Sequence, residues 1–142
     1  MEIIELMSFK PSDSSATKMV MFEVSVAAGI PIPVESGLEH EVDLNEFLVD
    51  HPATTFFARV TGVNMVHVGI RDGDILVVDS SIEPVDGRIV LAKLGDILTV
   101  KVIRTANGEV FLESHNHQFL PTQIGELEFE IIGTVTKIIH SL

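Results

Sequence analysis

The stretch of sequence that decides the fold runs from residue 61 to residue 79 and reads TGVNMVHVGIRDGDILVVD. It ends in a run of aliphatic and β-branched residues, 75–78, that is typical of a buried strand. Asp72-Gly73-Asp74 precedes this run, and its glycine lets the chain turn sharply because glycine adopts positive φ at little cost. A buried strand entered from a tight turn predicts a sheet with short connections around this segment.

Segments rich in Val, Ile, Phe and Thr recur from residue 54 onward, and each is predicted to be a strand. They cover residues 56–60, 75–78, 88–93, 97–103, 110–113 and 128–139. Turn residues separate them, and Asn107-Gly108 between two of these segments is the strongest hairpin signal in the chain. The predicted fold class is therefore mostly β, a compact domain of curved antiparallel sheets.

Residues 1–40 differ in character from the rest of the chain and are predicted to form a flexible, extended N-terminal arm. Small polar residues occupy positions 12–17, and Pro31 and Pro33 exclude a helix or a central strand around them. One short strand is expected in the arm, at residues 19–26.

Residues 41–142 are predicted to form the β domain. It begins with a brief helix whose N-cap is near Asp43 and which ends at His51-Pro52. The apolar run 129–139 predicts more open strand edge than a monomer of this size should expose. We therefore expect a homodimer with the C-terminal strands at or near its interface.

Composition narrows the class of protein. With 142 residues, 46% of them apolar, and a mean hydropathy of +0.38, the chain suits one domain with a sizeable core. The net charge of −12 would repel phosphates, and without Trp or Tyr a base-stacking surface is not expected, so we predict no direct nucleic-acid binding. No apolar run reaches the length of a bilayer span, and the acidic start is unlike a signal peptide, so a cytoplasmic protein without membrane contact is expected.

Metal and cofactor sites are not predicted. The absence of cysteine excludes thiolate ligands and thiol catalysis. His115 and His117 would share one strand face, but no third ligand is identifiable, which favours exposed loop histidines over a metal site. The acidic residues lack calcium-binding spacing, and Asp72-Gly73-Asp74 presents carboxylates where a phosphate would need donors.

The 61–79 stretch resembles the self-cleaving SOS-response proteins of the UmuD/LexA peptidase family. That family reads Ser-Gly-Asp-Ser-Met, a short spacer, then Gly-Ile-x-Asp-Gly-Asp and an apolar strand. Seven residues of this chain fall in register with it: Gly62, Met65, Gly69, Ile70, Asp72, Gly73 and Asp74. The resemblance covers about residues 20–140, and because the chain lacks the helix-turn-helix domain of the repressor branch, it looks like the short UmuD branch. A LexA C-terminal-like fold is implied.

The resemblance also implies a serine–lysine dyad and a cleavage bond. The nucleophile position is Asn64, the general base is Lys101, and the bond is Ala28-Gly29. A lysine base must be desolvated to be neutral near pH 7. The apolar strand around Lys101 leaves two interpretations open, an amine that reaches solvent or one that lies dry with a lowered pKa, and the resemblance favours the second. An amide has no nucleophilic hydroxyl, so the chain is predicted to be inactive as written.

Three explanations of Asn64 remain open. The first is that Asn64 is an engineered inactivation. The second is a natural pseudo-peptidase that kept its fold for partner binding. The third is a chain that is cut at Ala28-Gly29 in trans, by a partner that possesses serine. Other hydroxyls are poor substitutes: Thr61 lies three positions away on a rigid turn, and Ser80-Ser81 fits a capped turn after a strand.

By resemblance, the expected function is that of a UmuD-like regulator of the DNA-damage response. It would act as a homodimer that binds the UmuC-like subunit of a translesion DNA polymerase, and the RecA–DNA filament would stimulate its processing as a co-protease. Two alternatives stand beside it. One is an active auto-endopeptidase whose natural sequence has serine at position 64, and the other is the dimerisation module of a phage-type repressor.

Overall fold

A computed structural model describes residues 1–9, 18–23, 38–63, 65–113, 122–123 and 129–142. The chain forms two compact units, one made of Met1–Phe9 and His51–Leu142 and the other of Lys10–Asp50. In chain order the elements are β1 (Glu2–Ser8), β2 (Lys18–Glu23), β3 (Leu38–Asp43), α1 (Leu44–Leu48), β4 (Thr55–Thr61), a 3-10 helix (Val66–Val68), β5 (Ile75–Asp79), β6 (Ile89–Leu94), β7 (Ile97–Ala106), β8 (Glu109–Glu113), β9 (Thr122–Gln123) and β10 (Phe129–Ile139).

The larger unit is built on an antiparallel sheet of eight described strands, in the order β1-β4-β5-β10-β6-β7-β8-β9. β1 also pairs with β7, so the first six strands of this order form a closed ring. The main core lies inside the ring, because each of the six contributes inward side chains. Its buried members are Met1, Ala58, Val60, Met65, Ile70, Leu76, Val78, Leu91, Val100, Val102 and Val135.

A second, smaller core covers the opposite face of β6, β7 and β8. Its buried members are Val90, Ala92, Ile103 and Leu112. Alternate residues of β7 therefore face two different cores, which explains why that strand is apolar on both sides.

The predicted fold class is confirmed. Each of the six predicted strands is present, and no predicted end differs from the observed one by more than three residues. The predicted hairpin joins β7 to β8, and its turn residues Asn107 (φ 54°) and Gly108 (φ 77°) both adopt the positive φ that a two-residue turn of this kind requires.

β1 lies within residues 1–40, where the sequence predicts an extended arm. Glu2–Ser8 pairs with β4 over six residue pairs, and a bulge interrupts the register between Ile3 and Glu5. Sequence patterning alone does not identify this strand, because its partner is about fifty residues away and its side chains do not alternate between buried and exposed. The division of the chain near residue 40 stays a prediction.

The apolar run 129–139 forms β10, which lies between β5 and β6 in the sheet. Residues 134–139 pair with β5 and residues 129–134 pair with β6, so each half of the strand is paired along one edge. The open strand edge expected at this run stays a prediction.

The smaller unit contains the β2–β3 hairpin-like pair and α1. The strand expected at residues 19–26 is observed at Lys18–Glu23. The predicted N-cap is confirmed: the Asp43 carboxylate accepts a hydrogen bond of 2.9 Å from the Asn45 backbone N–H.

Candidate functional site

The loop that contains position 64 connects β4 to β5, and aspartates hold both of its ends. The Asp72 carboxylate accepts from the Thr61 hydroxyl at 2.6 Å and from the Gly62 backbone N–H at 2.9 Å. These hydrogen bonds, the hydroxyl first, lower the pKa of Asp72. Gly73 adopts φ 86°, and its N–H donates to the Val60 carbonyl at 2.8 Å. The Asp-Gly-Asp motif thus returns the chain to the point where it left β4.

The second aspartate of the motif fixes the other side of the loop. Asp74 is 1% exposed; its carboxylate accepts from the Arg71 backbone N–H at 2.8 Å and contacts His140 Nδ1 at 2.6 Å. Between the two aspartate-held ends, Met65 and Ile70 are fully buried in the main core. The loop is therefore anchored at its ends and at two points between them.

Asn64 lies outside the described residues, and so do Ala28 and Gly29. Both neighbours of Asn64 are described: the Val63 side chain is 70% exposed, and Met65 is completely buried. Position 64 is therefore flanked by a residue that faces solvent and one that anchors the loop in the core.

Lys101 lies on β7, between the buried residues Val100 and Val102. It is half-buried, and this burial lowers the pKa of its amine. Lowering the pKa favours the neutral amine, the form that can accept a proton from a hydroxyl. Half-burial and a lowered pKa agree with the second of the two interpretations left open for this lysine, and its role as a base stays a prediction.

Lys101 also occupies a fork in the strand pairing. On one edge of β7, Thr99 pairs with Glu2 of β1 and Val102 pairs with Glu113 of β8. Lys101 lies between these two pairings, where one neighbouring strand begins and the other ends. Its opposite edge is covered by Val90 of β6.

The strand that precedes position 64 and the strand of Lys101 are brought close to one another by β1. Glu2 is the register partner of Thr61 on one side and of Thr99 on the other. The last residue of β4 and the first part of β7 are thus separated by one strand.

The other candidate hydroxyls have structural roles. Thr61 is engaged with Asp72. Ser81 donates its hydroxyl to the Asp79 carboxylate at 2.7 Å, and Ser80 donates to the Thr54 carbonyl at 3.2 Å. The prediction that Ser80 and Ser81 belong to a capped turn is confirmed.

Asp79 is a buried carboxylate that the sequence did not single out. Burial alone would raise its pKa, but hydrogen bonds from Ser81, Thr54 and His51 outweigh it and lower the pKa of Asp79. His51 Nδ1 lies 2.5 Å from it and Thr54 Oγ1 lies 2.7 Å from it. This network joins the turn before β4 to the end of β5. In the sequence, the only signal for Asp79 was its position as a polar residue at the end of an apolar strand, followed by two serines.

Among the described residues, no cluster of His, Asp and Glu has the arrangement of a metal site, and no helix is long and apolar enough to cross a membrane. His115 and His117 lie outside those residues. The described residues offer a half-buried amine on β7 and, one strand away, a β4–β5 loop whose ends are held by Asp72 and Asp74.

Comparison with known proteins identifies the family. The Peptidase S24-like model matches residues 20–136, which is most of the chain. The chain belongs to the Peptidase S24-like family. The residues that the family model matches include both the loop that contains position 64 and the strand of Lys101.

Relatives of this S24-like chain include repressors and smaller proteins. LexA repressor 1 of Pseudomonas putida is 37% identical over 107 residues, which is 75% of this chain and 52% of the repressor. Protein SamA of Salmonella typhimurium is 37% identical over 120 residues and 84% of both chains. Protein ImpA of Salmonella typhimurium is 34% identical over 134 residues, 92% of this chain and 89% of ImpA. The S24-like chain thus spans about half the length of the LexA repressors that it matches.

Proposed function

We propose that this S24-like chain is a UmuD-like regulator of the SOS response whose self-processing peptidase fold is catalytically impaired by Asn64. Similarity to repressors named LexA, and to SamA and ImpA over most of their lengths, supports a role in that response. In this role it binds, as a homodimer, the UmuC-like subunit of an error-prone translesion polymerase. Such polymerases copy chromosomal DNA, so we place the role in the cytoplasm.

The observation that carries the proposal is the environment of Lys101. An amine whose pKa is lowered by burial, one strand away from the strand that leads into position 64, is what a lysine general base requires. A lysine kept only for solubility would extend into water. With serine at position 64, the amine would take the hydroxyl proton as the oxygen attacks the Ala28 carbonyl carbon, and would return it to the leaving amide nitrogen of Gly29. Water would then hydrolyse the ester between Ala28 and the serine, which frees residues 1–28 and restores the serine hydroxyl.

Asn64 removes the nucleophile but leaves the base and the loop. We propose that the chain therefore serves as a binding partner and as a substrate for a copy that possesses serine. Ala28 and Gly29 suit a narrow cleft, because their small side chains give little steric hindrance. The RecA–DNA filament is the proposed co-protease.

A protein partner is favoured over a nucleic acid by charge. The chain carries 21 acidic residues against nine Lys and Arg, and repulsion from phosphates opposes direct DNA binding. The proposed link to DNA metabolism runs through the polymerase and RecA.

The decisive experiment restores the nucleophile. The chain and its Asn64→Ser variant are held at alkaline pH, where more Lys101 is neutral, and both are followed by intact mass spectrometry. We expect the parent chain to remain whole and the variant to release a fragment that ends at Ala28. Lys101→Ala in the serine background should abolish release, whereas Lys93→Ala, which removes an exposed lysine of β6, should not.

A mixture tests cleavage in trans. Isotope-labelled parent chain is incubated with unlabelled Asn64→Ser chain, so that the mass of each fragment identifies its source. Labelled fragment 1–28 is the expected product. Self-cleavage of the parent alone, or processing that survives Lys101→Ala, would show that the dyad is assigned to the wrong residues.

A further inference from the structure

His140 is the residue that follows β10, and it joins β10 to the loop that contains position 64. Ile139 of β10 is the register partner of Ile75 of β5, so His140, which follows Ile139, faces Asp74, which precedes Ile75. His140 Nδ1 lies 2.6 Å from Asp74 Oδ1. The Asp74 side chain is 1% exposed and that of His140 is 35% exposed, so this contact is largely shielded from water. A shielded hydrogen bond to an ionised acceptor is stronger than one between neutral groups at the surface.

The two ring nitrogens of His140 face partners of opposite character. An ionised carboxylate such as that of Asp74 only accepts hydrogen bonds, whereas the Arg71 guanidinium only donates them. Arg71 Nη1 lies 3.3 Å from His140 Nε2. Nδ1 must therefore carry the proton that is donated to Asp74, and Nε2 must present its lone pair to Arg71. This arrangement defines a neutral imidazole with its proton on Nδ1.

Asp74 connects this contact to the inside of the loop. Its other carboxylate oxygen, Oδ2, accepts from the Arg71 backbone N–H at 2.8 Å. The preceding residue, Ile70, donates its backbone N–H to the Met65 carbonyl at 3.2 Å, and Met65 is the neighbour of position 64. A short series of hydrogen bonds and adjacent residues thus connects His140 to the residue beside position 64.

The two aspartate-held ends of the loop differ in what closes them. Asp72 bonds to Thr61 and Gly62, which lie at the end of β4 and directly after it. Asp74 bonds to His140, which is 66 residues further along the chain. The first end is therefore closed by nearby sequence, whereas the closure of the second end also depends on β10.

We propose that His140, as the neutral imidazole with its proton on Nδ1, is a positioning residue for position 64. It acts through Asp74: the ring holds the buried carboxylate, and the carboxylate holds the Arg71 N–H and the loop. With serine at position 64, the loop must keep the hydroxyl within reach of the Lys101 amine, and this consequence rests on the proposed function. The hold on the loop is independent of that function, because the contacts are those of the chain with asparagine at position 64.

Amide hydrogen exchange, read by NMR, tests the hold on the loop in the parent chain. His140→Leu removes both ring nitrogens, so the Arg71 and Gly73 amides should exchange at least about tenfold faster, because a hydrogen bond to a charged group is lost. His140→Asn should restore much of the protection, since its side-chain amide can replace Nδ1 as the donor to Asp74. Ser141→Leu, which changes the adjacent exposed residue, is the matched control and should keep the parent rates.

The location of the effect separates a positioning role from a general loss of stability. In His140→Leu, the amides of β7 and β8 should accelerate less than those of the loop. Equal acceleration throughout the larger unit, or loop amides that keep their parent rates, would overturn the proposal. If the unpaired carboxylate prevents His140→Leu from folding, combining it with Asp74→Asn removes the buried charge, and this double variant is compared with Asp74→Asn alone.

The nitrogen NMR shifts of the His140 ring test the tautomer. At about pH 8, where an ordinary histidine is neutral, Nδ1 should be protonated and Nε2 should be bare. A proton on Nε2 under these conditions is incompatible with a hydrogen bond from Arg71 and would overturn the proposal as stated.

Processing shows whether the hold on the loop matters for cleavage. In the Asn64→Ser background, His140→Leu should slow the release of fragment 1–28 at least about tenfold, and His140→Asn should recover much of the rate. Release at the parent rate from a variant whose loop amides exchange faster would overturn the positioning role. If Asn64→Ser itself releases no fragment, the proposed self-processing fails, and hydrogen exchange alone then decides whether His140 holds the loop.

Discussion

The Thr61 hydroxyl donates a hydrogen bond of 2.6 Å to the Asp72 carboxylate, which also accepts from the Gly62 backbone N–H. One side chain thus closes the loop that contains position 64, and this explains the need for an aspartate before the turn glycine. The short, acceptor-only carboxylate suits two converging donors.

Asp72→Asn should loosen this loop without unfolding the protein. Both donors bond the same carboxylate oxygen, Oδ1, and the amide removes the charge on that acceptor, so the amides around Gly62 and Gly73 should exchange faster with solvent. Hydrogen exchange read by mass spectrometry measures the effect. Asp96→Asn, in the exposed turn between β6 and β7, is the control. Unchanged exchange in the Asp72 variant would show that the backbone alone holds the loop.

The hydrogen bonds to Asp79 should make the stability of the turn before β4 sensitive to acid. Asp79→Asn should lower the free energy of unfolding at neutral pH by roughly 2–3 kcal/mol, because three side-chain donors lose a buried, charged acceptor. The folded-state pKa of Asp79 is lowered, so its contribution is fully present above the unfolded value near 3.8 and is lost as pH falls below it. The free energies of unfolding of parent and variant, measured by urea titration at several pH values, should therefore converge in acid. Exposed Glu83→Gln should leave the neutral-pH value unchanged.

Lys101→Met should change how stability depends on alkaline pH. The folded-state pKa of Lys101 lies below its unfolded value of 10.5, so between the two the unfolded chain binds more protons. The parent should therefore gain stability relative to the variant as pH rises through that window. Thermal unfolding of both proteins between pH 7 and 10.5 measures the difference. A constant difference across the range would mean that the amine is not desolvated.

Gly133→Ala should destabilise the centre of the sheet. A Cβ at this position would lie 2.7 Å from Val78 Cγ1 and 3.2 Å from the backbone of Asp79. Because backbone cannot move aside as a flexible side chain does, we expect a loss of about 1–3 kcal/mol in the free energy of unfolding. Ala53→Ser, at an exposed turn position, provides the control. An unchanged urea midpoint would show that β10 can shift away from β5 at its bulge.

Local patterns in the sequence determined most of the sheet. Apolar runs separated by turns such as Asn107-Gly108 predicted β4 to β8 and β10, because β-branched residues favour extended backbone and positive-φ turns accept few residue types. The motif around Asp72 and the lysine at position 101 likewise came from residue types at fixed spacing. These are properties of neighbours along the chain.

The tertiary structure alone decided which strands meet. Nothing near Glu2 in sequence indicates that Thr61 and Thr99 flank it, since its partners are 59 and 97 residues away. For the same reason the sequence could not place β10 at the centre of the sheet or establish that Lys101 is half-buried. Burial depends on what covers a side chain after distant segments pack. The sequence supplied the amine, and long-range packing lowered its pKa.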